Sequence, residues 1–153
     1  MTEQEKDELV ARSIVANCPP NRWVDFVAQF HEEKQPHHSL PKIPTSPTFK
    51  EALIEVASLQ SELSELITAM SHGDLVEVVD GAVDAIYVLI GLCLKYGVDP
   101  TPHMEEVQRS NMDKIPAGPG TLGRKTVDGK SCKPEGWVSP HIKDLLIAQG
   151  WKE

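Results

Sequence analysis

Apolar residues recur three and four positions apart over most of the first 115 residues, which is the spacing of amphipathic α-helices. The two longest stretches run from about 48 to 71 and from about 75 to 96. Between them, Gly73 suits the end of one helix and Asp74 the N-cap of the next. The pattern therefore predicts an antiparallel pair of long helices. The second is apolar on nearly every side and is predicted to be the most buried helix.

Shorter helices are predicted around this pair because capping residues precede other periodic stretches. Their expected spans are about 2–16, 21–34, 101–114 and 139–149. Residues 35–47 contain four prolines and should form an extended connection. The predicted inward positions are Leu9, Val10, Ile14, Trp23, Phe26, Val27, Phe30, Phe49, Leu53, Val56, Leu63, Leu66, Ile67 and Met70.

These elements predict an all-α fold with a four-helix-bundle core. Residues 1–20 form an N-terminal helical extension, residues 21–115 the core, and residues 116–153 a long C-terminal flap with a short terminal helix. The flap is rich in Gly, Pro and Lys, and Asp128-Gly129 within it favours a hairpin turn.

Composition narrows the function classes. The chain has 153 residues, of which 40% are hydrophobic and 25% charged, as in ordinary globular domains. The formal net charge of −8 argues against binding to nucleic acids or anionic membranes. Three cysteines without a Cys-x-x-Cys pair argue against a zinc ribbon or a disulfide framework and suit a reducing compartment. Neither a signal peptide nor a membrane span is predicted, so we expect a cytoplasmic protein.

Two groups of acidic residues interrupt the long helices. Glu62 and Glu65 lie in the first helix, and Glu77, Asp80 and Asp84 in the second. Spacings of three, four and seven place each group on one helix face, and the short turn brings the two faces together. Carboxylates among apolar residues repel one another unless a cation lies between them. We therefore expect a metal site, with a solvated acidic helix face as the plain alternative.

The residue types indicate which metal and which chemistry. Oxygen ligands without nearby cysteine or histidine favour Mg²⁺, with Mn²⁺ as a substitute, over zinc. A di-iron site would need Glu-x-x-His motifs, and no histidine of the chain has a glutamate three positions before it. Carboxylate-bound Mg²⁺ suits phosphate chemistry. Ser61 and Ser64 have no base at readable spacing, which favours hydrolysis by water over a covalent intermediate.

The acidic pattern resembles that of the MazG-like, all-α nucleotide pyrophosphohydrolases, which include phosphoribosyl-ATP pyrophosphohydrolases and dimeric dUTPases. Over about residues 21–135 the chain is most similar to a phage and bacterial branch of this superfamily. The matching segments are Phe26 to His31, Glu62-x-x-Glu65, Gly73-Asp74, Glu77-x-x-Asp80 with Asp84, and Arg109-Ser110-Asn111-Met112-x-Lys114.

The chain departs from the family pattern at two positions. The first residue of the family's Glu-Glu pair is Ser61 here. The family's aspartate often directly precedes the apolar run, which would favour Asp84, but the glutamate expected three positions earlier is Gly81. Since Glu77 and Asp80 keep the family spacing, we prefer that pair as ligands and give Asp84 a bridging or supporting position.

The resemblance implies hydrolysis of a nucleoside triphosphate to the monophosphate and pyrophosphate. Its implied metal ligands are Glu62, Glu65, Glu77, Asp80 and Asp84, with Glu62 or Glu65 also orienting the attacking water. It implies phosphate contacts for Arg109, Asn111 and Lys114, although a cation near a helix C-terminus also complements the helix dipole.

The resemblance favours a purine deoxynucleotide as the substrate, with dGTP as the first choice. It also implies a homo-oligomer, either a tetramer or a dimer. The protein would act in the cytoplasm, which would be that of the host if the protein is encoded by a phage. Trp23, Phe26, Phe30 or Phe49 could stack on the base, although core packing is their plain interpretation. Trp137 in the flap is more simply a packing anchor than a lid. Three alternatives remain open: a non-catalytic, metal-stabilised nucleotide sensor, a plain helical interaction module, and another enzyme of the superfamily such as a dUTPase or a phosphoribosyl-ATP hydrolase.

Overall fold

The computed structural model describes residues 2–35, 39–115 and 132–152. Within these ranges there are six helices and no strand apart from an isolated antiparallel bridge between Ile115 and Cys132. The helices are α1 (Glu3–Asn17), α2 (Arg22–Lys34), α3 (Phe49–His72), α4 (Leu75–Lys95), α5 (Pro100–Met112) and α6 (Ile142–Ala148). The predicted all-α fold is confirmed. The hairpin predicted around Asp128-Gly129 lies outside the described residues.

The helix starts follow the capping residues read from the sequence. Thr2 and Thr48 each form a complete capping box with the residue three positions on, and Asn21 caps α2. Gly73 adopts the left-handed conformation at the end of α3, with φ of 68°, and the Asp74 side chain accepts from the first amides of α4. The predicted antiparallel hairpin of α3 and α4 is therefore confirmed.

Two helix starts differ from the predictions. Helix α5 begins at Pro100, because Asp99 rather than Thr101 is the N-cap and accepts a hydrogen bond from the Thr101 amide. Helix α6 begins at Ile142, three residues after the predicted start. Its N-cap residue, His141, makes no side-chain cap, and the His141 backbone N–H donates instead to the Glu106 carboxylate at 3.1 Å.

The α3–α4 hairpin forms the centre of the fold, and α2 packs against α4. Helix α1 packs against α6, and α5 contacts both α4 and α6. The two long helices approach closely at Gly81, where a Cβ atom would lie 3.3 Å from the backbone N and Cα of Leu66. This contact sets which residues of α3 and α4 lie opposite one another.

Many of the predicted inward positions are exposed in the single chain. Ala11, Val24, Val27 and Leu145 are buried, whereas Leu9 and Val10 of α1 and Trp23, Phe49 and Ile67 are more than half exposed. The prediction that α4 is the most buried helix is also wrong for one chain. Its packing against α3 and α2 leaves another face open, and the exposed apolar residues are Leu75, Val76, Val79, Val83, Ile86 and Leu89.

The C-terminal segment is attached to α5 by two hydrogen bonds. The Trp137 indole N–H donates to the Ser110 carbonyl oxygen at 2.8 Å, and the Ser110 hydroxyl donates to the Val138 carbonyl at 3.1 Å. Trp137 therefore anchors this segment, which is the plainer of its two interpretations. Within the described ranges, no helix combines the length and the apolar character that crossing a bilayer requires.

Candidate functional site

The charge of Glu62 is influenced by three of the other predicted acidic residues, Glu65 on its own helix and Asp80 and Asp84 on α4. The Gly81–Leu66 contact places Asp84 opposite the turn of α3 that carries Glu62. Partial desolvation raises the pKa of Glu62 above its ordinary value, and the negative charges of Glu65, Asp84 and Asp80 raise it further. We call Glu62, Glu65, Asp80 and Asp84 the acidic face. Its like charges make it a place where a cation is stabilised.

Glu77 lies apart from the centre of this face. It occupies the exposed first turn of α4, next to the connection with α3, and its amide donates to the Asp74 cap at 3.2 Å. The carboxylates that raise the pKa of Glu62 are on Glu65, Asp84 and Asp80, without Glu77. The electrostatics thus group both aspartates of α4 with Glu62, whereas sequence spacing favoured the Glu77–Asp80 pair.

The acidic face is open rather than a closed cage. In the part of the chain that the structure describes, no three His, Cys, Asp or Glu side chains converge closely enough to hold a metal ion by themselves. Mg²⁺ usually keeps several waters and binds through one or two carboxylates together with phosphate oxygens of the substrate. The donor set of the acidic face fits that mode of binding better than a permanent, all-protein site.

The two departures from the family pattern have local explanations. Gly81 is packed tightly against α3, and a Cβ atom there would lie 3.3 Å from the Leu66 backbone, so a larger side chain would require the helices to shift. The close packing of α3 and α4 therefore explains why this position has a glycine and not a glutamate ligand. At the other departure, the Ser61 hydroxyl donates to the Glu65 carboxylate at 3.4 Å, which orients that side chain.

Arg109 has carboxylate partners on its own helix. Its guanidinium donates to both oxygens of the buried Glu106 at 2.8 Å and to Asp113 at 2.9 Å. The hydrogen bonds from Arg109 hold the pKa of Glu106 below its ordinary value, and they raise the pKa of Arg109. Because Glu106 also accepts from the backbone of His141, this cluster fastens α5 to the start of α6.

Asn111 and Lys114, also predicted to contact phosphate, lie together beyond Arg109. The Lys114 ammonium donates to the Asn111 side-chain oxygen at 2.7 Å and lies 5.8 Å from the centre of the Trp137 ring. The contacts of Asn111 and Lys114 lie where α5 meets the C-terminal segment. These contacts do not involve the acidic face of the same chain.

A cavity of about 680 Å³ lies farther along α3 and α4, and its lining begins about one turn beyond the acidic face. Helices α2, α3 and α4 and the segment 39–47 line it. Its nearest lining residue on α3 is Ser58, one turn from Glu62, and on α4 it is Tyr87, one turn from Asp84. Its volume is within the usual range of pockets for small molecules, about 300–1,000 Å³.

Aromatic and polar side chains share the wall of this cavity. Phe30 and Tyr87 meet edge to face with ring centres 5.8 Å apart. His31 is buried, its Nδ1 lies 2.9 Å from the Gln35 side-chain oxygen, and Gly91 leaves space for the ring, since a Cβ there would be 2.9 Å from Nε2. Partial burial raises the pKa of Tyr87.

An ion pair between Glu55 of α3 and Lys95 of α4 also lines the cavity. Glu55 is only 9% exposed. Sequence reasoning missed both residues, although a signal existed. Glu55 is seven positions before Glu62 and Lys95 is eleven positions after Asp84, and both spacings keep a residue on the same helix face.

The structure also separates the four aromatic residues that were candidates for stacking. Phe30 lines the cavity. Trp23 and Phe26 instead pack edge to face against each other at 6.1 Å, and Arg22 lies over the Phe26 ring. Phe49 is 80% exposed at the start of α3.

Comparison with known proteins agrees with this architecture. No curated protein matches the sequence. Residues 26–111, more than half of the chain, match the family described as Phosphoribosyl-ATP pyrophosphohydrolase. The match begins in α2, spans the α3–α4 hairpin with its acidic face, and ends in α5. The chain therefore belongs to the phosphoribosyl-ATP pyrophosphohydrolase family, an all-α, MazG-like family of pyrophosphohydrolases.

Proposed function

We propose that this protein is a Mg²⁺-dependent pyrophosphohydrolase that converts a nucleoside triphosphate to the monophosphate and pyrophosphate. The observation that carries the proposal is that the acidic face and the lining of the cavity follow one another along α3 and α4, about one helical turn apart. One region is chemically suited to a cation and a phosphate chain, and the other has the size and lining for a nucleoside. The preferred substrate is a purine deoxynucleotide, with dGTP first.

In this proposal, the triphosphate lies along the acidic face. When bound, Mg²⁺, or Mn²⁺ in its place, would neutralise part of the negative charge of the phosphate chain. One or two of the carboxylates of Glu65, Asp80 and Asp84 would hold it together with phosphate oxygens of the substrate, and Glu77 would be an additional ligand near the first turn of α4. Glu62 orients a water molecule towards the α-phosphorus. The water oxygen forms a bond to that phosphorus, and Glu62 accepts a proton from the water. The bond from that phosphorus to the bridging oxygen breaks, and pyrophosphate leaves with the bridging oxygen.

The raised pKa of Glu62 supports its role as the proton acceptor. A general base works best when its pKa is close to the operating pH, and the carboxylates around Glu62 move its pKa in that direction. Glu65 is the alternative for this role, and Ser61 holds its carboxylate at 3.4 Å. The nucleoside would then extend from Asp84 towards Tyr87 and Phe30, whose rings offer surfaces for stacking.

We further propose that the protein acts as a homo-oligomer, a tetramer or a dimer, in the cytoplasm. Val79, Val83 and Ile86 of α4 are each more than half exposed, and their spacing of four and three places them on one stripe. An apolar stripe of this kind is typical of an interface between proteins. A second copy packed there would bring further groups close to the acidic face, and Arg109, Asn111 and Lys114 are the proposed phosphate contacts.

The main alternative is a nucleotide sensor that binds the metal and the nucleotide without cleaving it. Ser61 favours it, because it stands where the family pattern has the first glutamate of a Glu-Glu pair. A dUTPase or a phosphoribosyl-ATP hydrolase would share the acidic face and differ in the ligand of the cavity. A plain helical interaction module would respond neither to Mg²⁺ nor to nucleotides.

Product analysis separates these functions. Each dNTP and NTP, and phosphoribosyl-ATP, is incubated with the protein in Mg²⁺ or in EDTA, and the products are separated by chromatography. We expect monophosphate and pyrophosphate from one purine nucleotide, loss of turnover in EDTA, and a rate at least 100-fold lower for Glu62→Gln. Glu32→Gln, an exposed change of the same type on α2, is the matched control and should keep the wild-type rate.

Each alternative has its own outcome. Binding of a nucleotide with Mg²⁺ but no cleavage of any substrate would favour the sensor and contradict the catalytic proposal. Cleavage of dUTP or phosphoribosyl-ATP far above the purine triphosphates would keep the reaction and overturn the choice of substrate. Neither binding nor cleavage would favour the interaction module.

A further inference from the structure

We propose that the Glu55–Lys95 ion pair is the specificity determinant of the cavity and that it selects guanine. The inference deepens the proposed function and rests on its placement of the nucleoside in the cavity. Glu55 and Lys95 both line this cavity, and no residue of the acidic face takes part in their contact.

The distance along the groove suits a base at the ion pair and a phosphate chain at the acidic face. Glu55 and Glu62 are seven residues apart on α3, which corresponds to about 10 Å at a helical rise of about 1.5 Å per residue. That length is similar to the extent of a nucleoside 5′-phosphate. Phe30, His31 and Tyr87 line the same cavity as Glu55 and Lys95, and their rings offer surfaces against which the flat faces of the nucleoside would pack.

The environment of the pair favours recognition over a purely structural role. The side chains of Glu55 and Lys95 are 11% and 22% exposed, so both charges have lost most of their water. A desolvated ion pair gives little net stability, because the cost of desolvation offsets the attraction between the charges. Placed in the wall of a cavity, however, the same pair offers fixed polar groups that specify the orientation of a ligand.

The chemistry of the pair matches one base best. A carboxylate only accepts hydrogen bonds, and an ammonium group only donates them. Guanine carries two N–H donors, at N1 and N2, next to the O6 acceptor, so it can donate twice to Glu55 while it accepts from Lys95. Hypoxanthine has the same edge without the N2 amino group. Adenine, cytosine and thymine each present only one donor position to the carboxylate.

The experiment is calorimetric titration of the full-length protein with dGMP, dIMP, dAMP, dCMP and dTMP, with and without Mg²⁺. For the wild type, we expect dGMP to bind about tenfold more tightly than dIMP, because a hydrogen bond to a charged group is lost. In Glu55→Gln, one acceptor becomes a donor, and the preference for dGMP over dIMP should fall to about one. In Lys95→Met, dGMP and dIMP should both weaken relative to dAMP, since O6 loses its donor.

Matched controls separate recognition from loss of charge or of fold. Glu32→Gln and Lys50→Met make the same chemical changes at exposed positions on α2 and α3 and should leave all five affinities unchanged. If a single substitution prevents folding, the reversed pair, Glu55→Lys with Lys95→Glu, is used instead, because it keeps an ion pair at this position. It should lose the preference for dGMP, because it exchanges the positions of donor and acceptor.

The outcomes distinguish this inference from the proposed function. Equal wild-type affinities for dGMP and dIMP, or a preference for dGMP that survives Glu55→Gln, would overturn the inference whatever the enzyme hydrolyses. Absence of binding of every monophosphate would also overturn it. Selective binding of dGMP by wild type and by Glu32→Gln, lost in Glu55→Gln, would support it even if no triphosphate were cleaved.

Discussion

The acidic face has four carboxylates on α3 and α4, whereas the cavity farther along these helices contains a carboxylate in contact with an ammonium group, Glu55 with Lys95. The first region is open, and its charges repel one another. In the second, Glu55 and Lys95 are largely shielded from water and each has its partner. The comparison is consistent with the proposal that a cation completes the acidic face, whereas the charges of Glu55 and Lys95 already compensate each other.

This difference predicts opposite responses to removal of a charge. Removing a charge from a matched, desolvated pair leaves its partner without compensation, which destabilises the fold. Removing one of several like charges relieves repulsion and stabilises the fold. Four substitutions test this contrast. Their expected effects on stability decrease in the order Lys95→Met, Glu106→Gln, Gly81→Ala and Glu62→Gln.

Lys95→Met is expected to have the largest effect. It leaves the Glu55 carboxylate without its partner, and we expect the free energy of unfolding to fall by about 2–3 kcal/mol, below the value for a fully buried pair because the cavity admits water. Urea denaturation measures this change. Adding Glu55→Gln should recover part of the loss, and Lys50→Met should change stability little. A loss as large in Lys50→Met would contradict the assignment.

Glu106→Gln tests a carboxylate that is paired with a cation, Arg109, and lies outside the groove between α3 and α4. It removes the charge that holds Arg109, and we expect a loss of about 1.5–3 kcal/mol at neutral pH. Because the folded state lowers the pKa of Glu106, its contribution is present above the unfolded pKa and is lost as pH falls through the folded pKa. The difference between wild type and variant should therefore shrink as the solution is acidified. A difference independent of pH would contradict this role.

Gly81→Ala tests the close approach that aligns the two halves of the groove. Overpacking costs about 1–3 kcal/mol, and the better helix propensity of alanine returns about 1 kcal/mol, so we expect a net loss of up to about 2 kcal/mol. Thermal unfolding measures it. Hydrolysis should decrease as well, because the Leu66 backbone must move and carry Glu62 with it. Unchanged stability together with unchanged activity would show that the contact is loose.

Glu62→Gln should have the smallest effect on stability, with the opposite sign. Because the folded state raises the pKa of Glu62, its ionisation destabilises the fold as pH rises through the interval between the unfolded and the folded pKa. Without Mg²⁺ at neutral pH, the variant should therefore melt at a slightly higher temperature than wild type. Added Mg²⁺ should stabilise wild type more than the variant. A lower melting temperature would contradict the repulsion inferred for the acidic face.

The sequence was sufficient for the helices and for the pairing of α3 with α4. Both depend on local signals, namely capping at Thr48 and Asp74 and the left-handed glycine at position 73. Burial was predicted less well, because apolar periodicity shows which face needs a partner and not whether the same chain provides it. Val79 and Val83 of α4 illustrate this point, since both have helical spacing and both are more than half exposed.

The site residues stay a prediction. Helical spacing placed the acidic residues on one face of each helix, and the structure describes their positions but does not test whether they bind metal. The cavity could not be read from periodicity, because it depends on the segment 39–47 and on the space that Gly91 leaves for His31. Helical spacing places Glu55 and Lys95 on the same faces as Glu62 and Asp84, but it does not show that these two residues, 40 positions apart, contact each other.

The connection between α3 and α4 contains only Gly73 and Asp74, and this brevity fixes the rotational phase of one helix relative to the other. With 3.6 residues per turn, one inserted residue would rotate the following helix by about 100° if its start were held in place. Asp80, Asp84 and Lys95 would then turn away from their partners on α3 together. The length of this connection is therefore as much a determinant of the groove as any charged residue in it.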